Sequence, residues 1–287
     1  MILLKLFLSL TTWAYIPPAK MILLRLAENN GSGTYQIEQE LQFMTGSEPI
    51  TIHETWISEG DKGLRLIATG QNELKDKFKF QALYVGGQKW TINKNQKENI
   101  KIPIEMTERP FHQRSVESIS QWLISLDILP AHFLQQKAYT KEIVKDPSKD
   151  PAKDKENFNY PPENYLRLGR TAGVVAYTLG AAPNEASKNS SGLWVEQDQF
   201  QIRKIRWSSQ SELTVEEVGN YSRGLSFPKT RLLRWGNQSV QMRTISVTGK
   251  STYSQAMQPS NLEANRFEGL DGLSQKDLLI EFYQRFR

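Results

Sequence analysis

Residues 193–247 read LWVEQDQFQIRKIRWSSQSELTVEEVGNYSRGLSFPKTRLLRWGNQSVQMRTISV, and this stretch decides the fold. Leu193–Val195 runs into a polar turn, Glu196-Gln197-Asp198-Gln199, and then into Phe200–Trp207. Ser208–Ser211 turns the chain again. Leu213–Val218 and Arg231–Trp235 follow, with Gly219, Asn220, Gly224 and Pro228 breaking the path between them. Gly236-Asn237 is a reversal signal before Val240–Val247. The pattern predicts four or five antiparallel strands in succession. No residue in it looks like a catalytic centre, so the stretch reads as a wall.

Working outward, the cleanest alternation lies at Tyr35–Phe43, where Tyr35, Ile37, Gln39, Leu41 and Phe43 share one face of a half-buried strand. A turn at Gly46–Pro49 leads to Ile50–Ile57, where Ile50, Ile52, Glu54 and Trp56 share a face. Leu64–Ala68 and Phe78–Val85 continue the pattern, with Phe78, Phe80, Ala82 and Tyr84 aligned. Gly86-Gly87 predicts a tight hairpin into Gln88–Ile92. Ile100–Met106 reads as a further strand, placed at an edge by Pro103, and Arg170–Gly180 as one more.

Three helices are expected among these strands. Met21–Glu28 is short and apolar, stopped by Asn29–Gly33. Ser115–Leu126 is the clearest, with Val116, Ile119, Trp122, Leu123 and Leu126 on one stripe and Ser115 as cap. Gln275–Phe286 carries Leu278, Leu279, Phe282 and Phe286, opened by Ser274 and Asp277. Ala131–Tyr139 also reads as helical. An amphipathic helix among strands must pack on a sheet face or across an opening.

The chain has 287 residues, 38% of them hydrophobic, which fits antiparallel sheets with one solvated face. Its net charge of +5 is spread among acids, so it does not point to nucleic acid. Arg203, Lys204, Arg206 and Trp207 look like a basic–aromatic patch, but strand alternation puts Lys204 and Arg206 on one face and Arg203 and Trp207 on the other. The chain has no cysteine, and its three histidines, His53, His112 and His132, are scattered. No metal site, cofactor or thiol chemistry is expected.

Residues 1–19 read as an export signal. Lys5 supplies the charge, Leu6–Ile16 the apolar run, and Pro17-Pro18-Ala19 a break for cleavage. An uncleaved anchor is the alternative, although the run falls short of the ~20 residues of a comfortable span. Residues 20–287 then form a single domain, interrupted at 140–164 by a mobile insertion of alternating Lys and Asp/Glu punctuated by proline. Gly249-Lys250-Ser251 lacks the rest of a phosphate loop, and Gly224–Pro228 lacks the second glycine of a nucleophile elbow. Glu54 stands out as an acid on an apolar strand face. It is either half of a carboxylate pair, or an acid at a rim position or a partner for one of the many arginines.

YQIEQELQF (35–43), EPITIHETW (48–56), GLRLIATG (63–70), LWVEQDQFQIRKIRW (193–207), GLSFPKTRLLRW (224–235) and VQMRTISV (240–247), behind a short N-terminal helix, resemble the outer-membrane lipoprotein-sorting group, the LolA/LolB-like superfamily of periplasmic lipoprotein carriers. The resemblance covers roughly residues 21–104 and 170–247. It implies a mainly β (α+β) fold, a curved antiparallel sheet forming an incomplete β-barrel with helices covering the open mouth. It further implies a periplasmic carrier that shields the acyl chains of lipoproteins or lipid, taking cargo from an inner-membrane transporter to an outer-membrane acceptor.

The expected lining is Tyr35, Ile37, Leu41, Phe43, Ile52, Trp56, Phe80, Tyr84, Val175, Tyr177, Leu193 and Val195, with Ile119, Trp122 and Leu123 as a lid; the same residues could instead fill a closed core. The chain is expected not to be an enzyme. A signalling or scaffold module on the same half-barrel, binding a protein partner, is the alternative reading, and an envelope hydrolase using a carboxylate pair near Glu54 is the third.

Overall fold

The computed structural model describes residues 16–44, 49–94, 96–135, 164–180, 190–250, 257–267, 270–271, 273 and 275–287. Residues 1–15 of the expected leader, 136–139 of the expected helical stretch and 140–163 of the expected insertion lie outside them, as does Ser274. Ala19, assigned above to the leader, is fully buried and opens helix α1 (Ala19–Asn29).

Thirteen strands form one antiparallel sheet. The first half comprises β1 (Thr34–Phe43), β2 (Ile50–Glu59), β3 (Leu64–Gly70), β4 (Lys79–Val85), β5 (Gln88–Asn93) and β6 (Gln96–Lys101). The second comprises β7 (Leu166–Thr171), β8 (Val174–Gly180), β9 (Gly192–Glu196), β10 (Ile202–Arg206), β11 (Glu212–Asn220), β12 (Ser226–Trp235) and β13 (Gln238–Lys250). The order is β6-β5-β4-β3-β2-β1-β13-β12-β11-β10-β9-β8-β7. Two sequential meanders are thus joined by the β1–β13 ladder, Thr34↔Lys250 to Phe43↔Val240. The sheet does not close. Its edges are β6, exposed at every residue, and β7.

Side-chain alternation sends one apolar set to the concave face. The Ile37↔Trp56 and Leu41↔Ile52 pairs of β1 and β2 lie there, continued by Trp56↔Leu66, Leu66↔Ala82 and Ala68↔Phe80. Helices α1, α2 (Val116–Ser125) and α3 (Lys276–Arg285) pack on this face and share one core with it. Ser115 caps α2, its side chain accepting from the Ser118 amide at 3.1 Å. The α3 stripe Leu278, Leu279, Phe282, Tyr283 and Phe286 is buried. Its N-cap residue, Gln275, makes no side-chain capping bond, and Ser274 of the expected capping pair lies outside the described residues.

Several boundaries differ from the sequence reading. Arg170–Gly180 is not one strand: Ala172 (φ 47°) and Gly173 (φ 81°) reverse the chain between β7 and β8. The edge strand is Gln96–Lys101 rather than Ile100–Met106. Pro228 lies inside β12, opposite Val218, where bulges in β11 absorb its missing donor. Ala131–Gln135 is a short 3-10 turn. A bulge between Ile202 and Lys204 shifts the parity of β10, so Trp207 is buried while Arg203 pairs with Glu196.

Candidate functional site

The concave face is where the fold places its chemistry, and much of it is already occupied. Tyr35, Ile37, Leu41, Phe43, Ile52, Trp56, Phe80, Tyr84, Tyr177, Leu193 and Val195 are all buried there, together with Ile119, Trp122 and Leu123 of α2. They pack against side chains of the chain itself. Phe43 meets Phe282 of α3 edge-on at 5.1 Å between ring centroids, and Trp235 meets Phe286 at 5.0 Å. Trp56 stacks on Tyr84 at 5.7 Å. Val175 is a correction. It shares the face of Tyr177 but sits beside the β7–β8 turn, beyond the packed core, and is 37% exposed.

A charged band crosses the middle of this apolar face. Gln39 and Glu54 are direct cross-strand partners on β1 and β2, and Arg231 on β12 lies in register with Met242. Glu108, from the segment before α2, and Arg287, just after α3, meet them; all five are fully or almost fully buried. Arg287 Nε donates to both oxygens of Glu54, at 2.9 and 3.1 Å. Glu54 also accepts from Tyr283 Oη at 3.0 Å, Trp56 Nε1 at 3.0 Å and Gln39 Nε2 at 3.1 Å. Arg231 lies 2.7 Å from Glu108, which also receives Gln39 Nε2 at 3.2 Å, and Arg231 donates to the Gln39 carbonyl oxygen.

Two arginines thus face two carboxylates, the condition under which charge is tolerated away from water. Burial alone would raise the Glu108 pKa, but Arg231, with His112 and Arg287 behind it, holds the carboxyl well below the usual carboxylate range. Burial pushes the His112 imidazole down, against the opposing pull of the Glu108 carboxylate beside it. Glu54 and Glu108 do form a carboxylate pair. Both oxygens of Glu54 and Oε1 of Glu108 are taken by donors within the protein and neither side chain is exposed, which is the geometry of a structural ion pair.

What remains open is a cleft of about 1090 Å³ between β4–β6 and α3. Its floor is Phe80, Phe267 and Tyr283, with Ile280 and Ile100 on opposite walls. Phe80 and Tyr283 are 4.8 Å apart between centroids, so the floor is a continuous aromatic surface. Lys94, Glu98, Asp271 and Lys276 add charge, the last two paired at 2.6 Å. Lys89 lies at the inner end. Its Nζ donates to the Tyr283 carbonyl at 2.8 Å and to that of Arg287, and burial, helped by the nearby Arg287 charge, lowers its pKa to about 7. An apolar floor with a few placed polar groups is the usual make-up of a small-molecule or lipid site.

Of the expected lining residues only Phe80 borders this cleft; Tyr84 borders a smaller one beside the Gly86-Gly87 hairpin. The sequence reading missed Lys89, Thr91, Ile100, Phe267, Ile280 and Tyr283. The alternation Lys89, Thr91, Asn93 opposite Tyr84 was the available signal, hidden because all three are polar.

No protein-family model matches the sequence, and no curated protein matches it. Solved structures do match in fold. A LolA superfamily protein from Nitrosomonas europaea superposes with a TM-score of 0.52 at 11% identity, over 86% of this chain and 100% of that one. A DUF1329 family protein from Desulfovibrio piger gives 0.51 at 8% identity, over 85% of this chain and 97% of that one. The open thirteen-stranded sheet with a helix-covered concave face is therefore the LolA-like fold that the sequence resemblance implied.

Proposed function

We propose that this protein is a cell-envelope carrier that shields the acyl chains of a lipid or lipoprotein in its half-barrel. The observation that carries the reading is the cleft beside α3, a space of about 1090 Å³ with an aromatic floor and a polar, charged rim at the open side of the sheet. The LolA-like fold and the absence of a solvent-facing catalytic group in the charged band support it.

Magnitudes favour entry beside α3 over eviction of α3. Burying a chain of about 16 carbons at ~0.8 kcal/mol per CH₂ yields on the order of 10 kcal/mol gross. Exposing Leu278, Leu279, Phe282, Tyr283 and Phe286 costs ~1.5–3 kcal/mol each. That alone is comparable, and eviction would also separate Arg287 from Glu54, a further loss of about 3–5 kcal/mol. A chain threading into the existing cleft meets neither cost.

The test is mass spectrometry of material extracted from the native protein, together with binding of a fluorescent long-chain fatty acid. Ile280→Trp, at a half-buried position on the cleft wall, should narrow the space against the aromatic floor and lower probe affinity at least tenfold without a drop in melting temperature. A folded protein that neither carries lipid nor takes up the probe, or an Ile280→Trp variant that binds as well as the parent, would end the reading.

A further inference from the structure

We propose that the outer, convex face of β7–β10, with the adjoining end of β12, docks on an anionic phospholipid bilayer. Cross-strand register assembles this surface. Arg167, Thr178, Trp194 and Lys204 form one row across β7 to β10. Arg206, Glu212 and Arg234 form the next across β10 to β12. Within these two rows one carboxylate, Glu212, stands among four cations and pairs with Lys204 at 2.5 Å; Glu196, farther along the same face of β9, is taken by Arg203.

Among the described residues the other three cations have no carboxylate partner. Arg167 Nη1 donates to the Gly180 carbonyl at 2.7 Å and Arg206 Nε to that of Ser190 at 2.9 Å. Arg234 is exposed and makes no ion pair among the described residues. Arg167 and Arg206 are close enough that Arg206 adds to burial in lowering the Arg167 pKa. Two arginines set side by side with only neutral acceptors leave a local positive potential for an external anion to neutralise.

Trp194 selects a bilayer rather than another anionic partner. Its half-buried indole lies over Gly192, with Lys204 Nζ 5.2 Å and the Arg206 guanidinium 5.4 Å from the ring centroid. An indole flanked by long cationic side chains matches the headgroup zone, where the ring sits at the boundary and the charges meet phosphate. The curved sheet presents these groups together on one side. The proposal concerns the face opposite the cleft and does not depend on what the cleft carries.

The full chain should co-sediment with vesicles containing phosphatidylglycerol and not with pure phosphatidylcholine. Binding should weaken steeply as salt shortens the screening length from about 10 Å at 0.1 M to about 3 Å at 1 M. Each basic residue near such a surface contributes about fivefold, so Arg167→Gln/Arg206→Gln should lower partitioning roughly 25-fold. Lys75→Gln/Lys77→Gln, removing the same charge at exposed positions in the β3–β4 connection, should leave it within about twofold. Arg234→Gln, at an exposed side chain, should cost about fivefold and serves if the double variant does not fold. Equal binding to both vesicle types, equal loss in the lysine control, or displacement by inorganic phosphate at constant ionic strength would overturn the proposal, the last by showing a discrete anion site.

Discussion

Separating Glu54 from Arg287 is the most informative perturbation of this molecule. Both side chains are fully buried, and the arginine donates to both oxygens of the carboxylate. In Glu54→Gln, Arg287 and Arg231 would be left with Glu108 alone, which already lies 2.7 Å from Arg231 and 3.8 Å from Arg287. In Arg287→Met the imbalance reverses, with two carboxylates and one arginine. Each single variant leaves an uncompensated buried charge, so each should lose about 3–5 kcal/mol. The double variant keeps the Arg231–Glu108 pair balanced, and its loss should fall short of the sum of the singles by about 2–3 kcal/mol. Equilibrium unfolding in urea, followed by tryptophan fluorescence and far-UV circular dichroism, measures all four corners of the cycle. Trp56, under the Arg287 guanidinium at 5.5 Å, provides a local reporter. Additive losses, within about 0.5 kcal/mol, would refute the idea that the charged band acts as one neutral unit.

Lys89 should make stability depend on pH. Its pKa falls from an ordinary 10.5 in the unfolded chain to about 7 in the fold, so between those values the unfolded chain binds more protons and stability rises with pH. Urea midpoints measured from pH 6 to 9 should climb in the parent and flatten in Lys89→Met; a parent profile flat over this range would contradict the assignment. Ser115→Ala removes the cap of α2 and should cost about 1 kcal/mol, read from the same unfolding curves. Gly70→Ala should destabilise by about 1–3 kcal/mol, because a Cβ there would stand 2.3 Å from the Leu74 carbonyl oxygen. An unchanged melting temperature in that variant would mean the turn after β3 yields more readily than its packing implies.

Much of the wall is legible in the sequence because it is written in period two. Tyr35–Phe43 and Ile50–Ile57 give their buried faces directly, and the structure pairs them residue for residue. The helices are legible from their stripes. What they cover is not, since periodicity fixes which side of a helix is apolar and says nothing of the surface it meets. So α3 was recognisable as a helix, while its place over Phe43 and Trp235 was not. The charged band was half visible. Glu54 stood on an apolar face, but Gln39 and Arg231 looked like ordinary strand residues until the β1–β13 ladder brought them together. The β7–β8 turn escaped because Ala172 takes a positive φ that usually belongs to asparagine, aspartate or glycine. The edge strand escaped because QKENIK buries none of its residues and so has no pattern to read.

A sheet left open carries two rows of unpaired amides and carbonyls, and these invite a second molecule to add its own strand. β6 meets that hazard with Lys97, Glu98 and Lys101 on a short edge, and β7 with Arg167, Gly169 and Arg170. Charged residues and glycine on an edge disfavour intermolecular pairing. The consequence is colloidal: a sheet can stay open at both edges and still remain dispersed at high concentration. Replacing the two β6 lysines with valine would be expected to make this edge a seed for filaments.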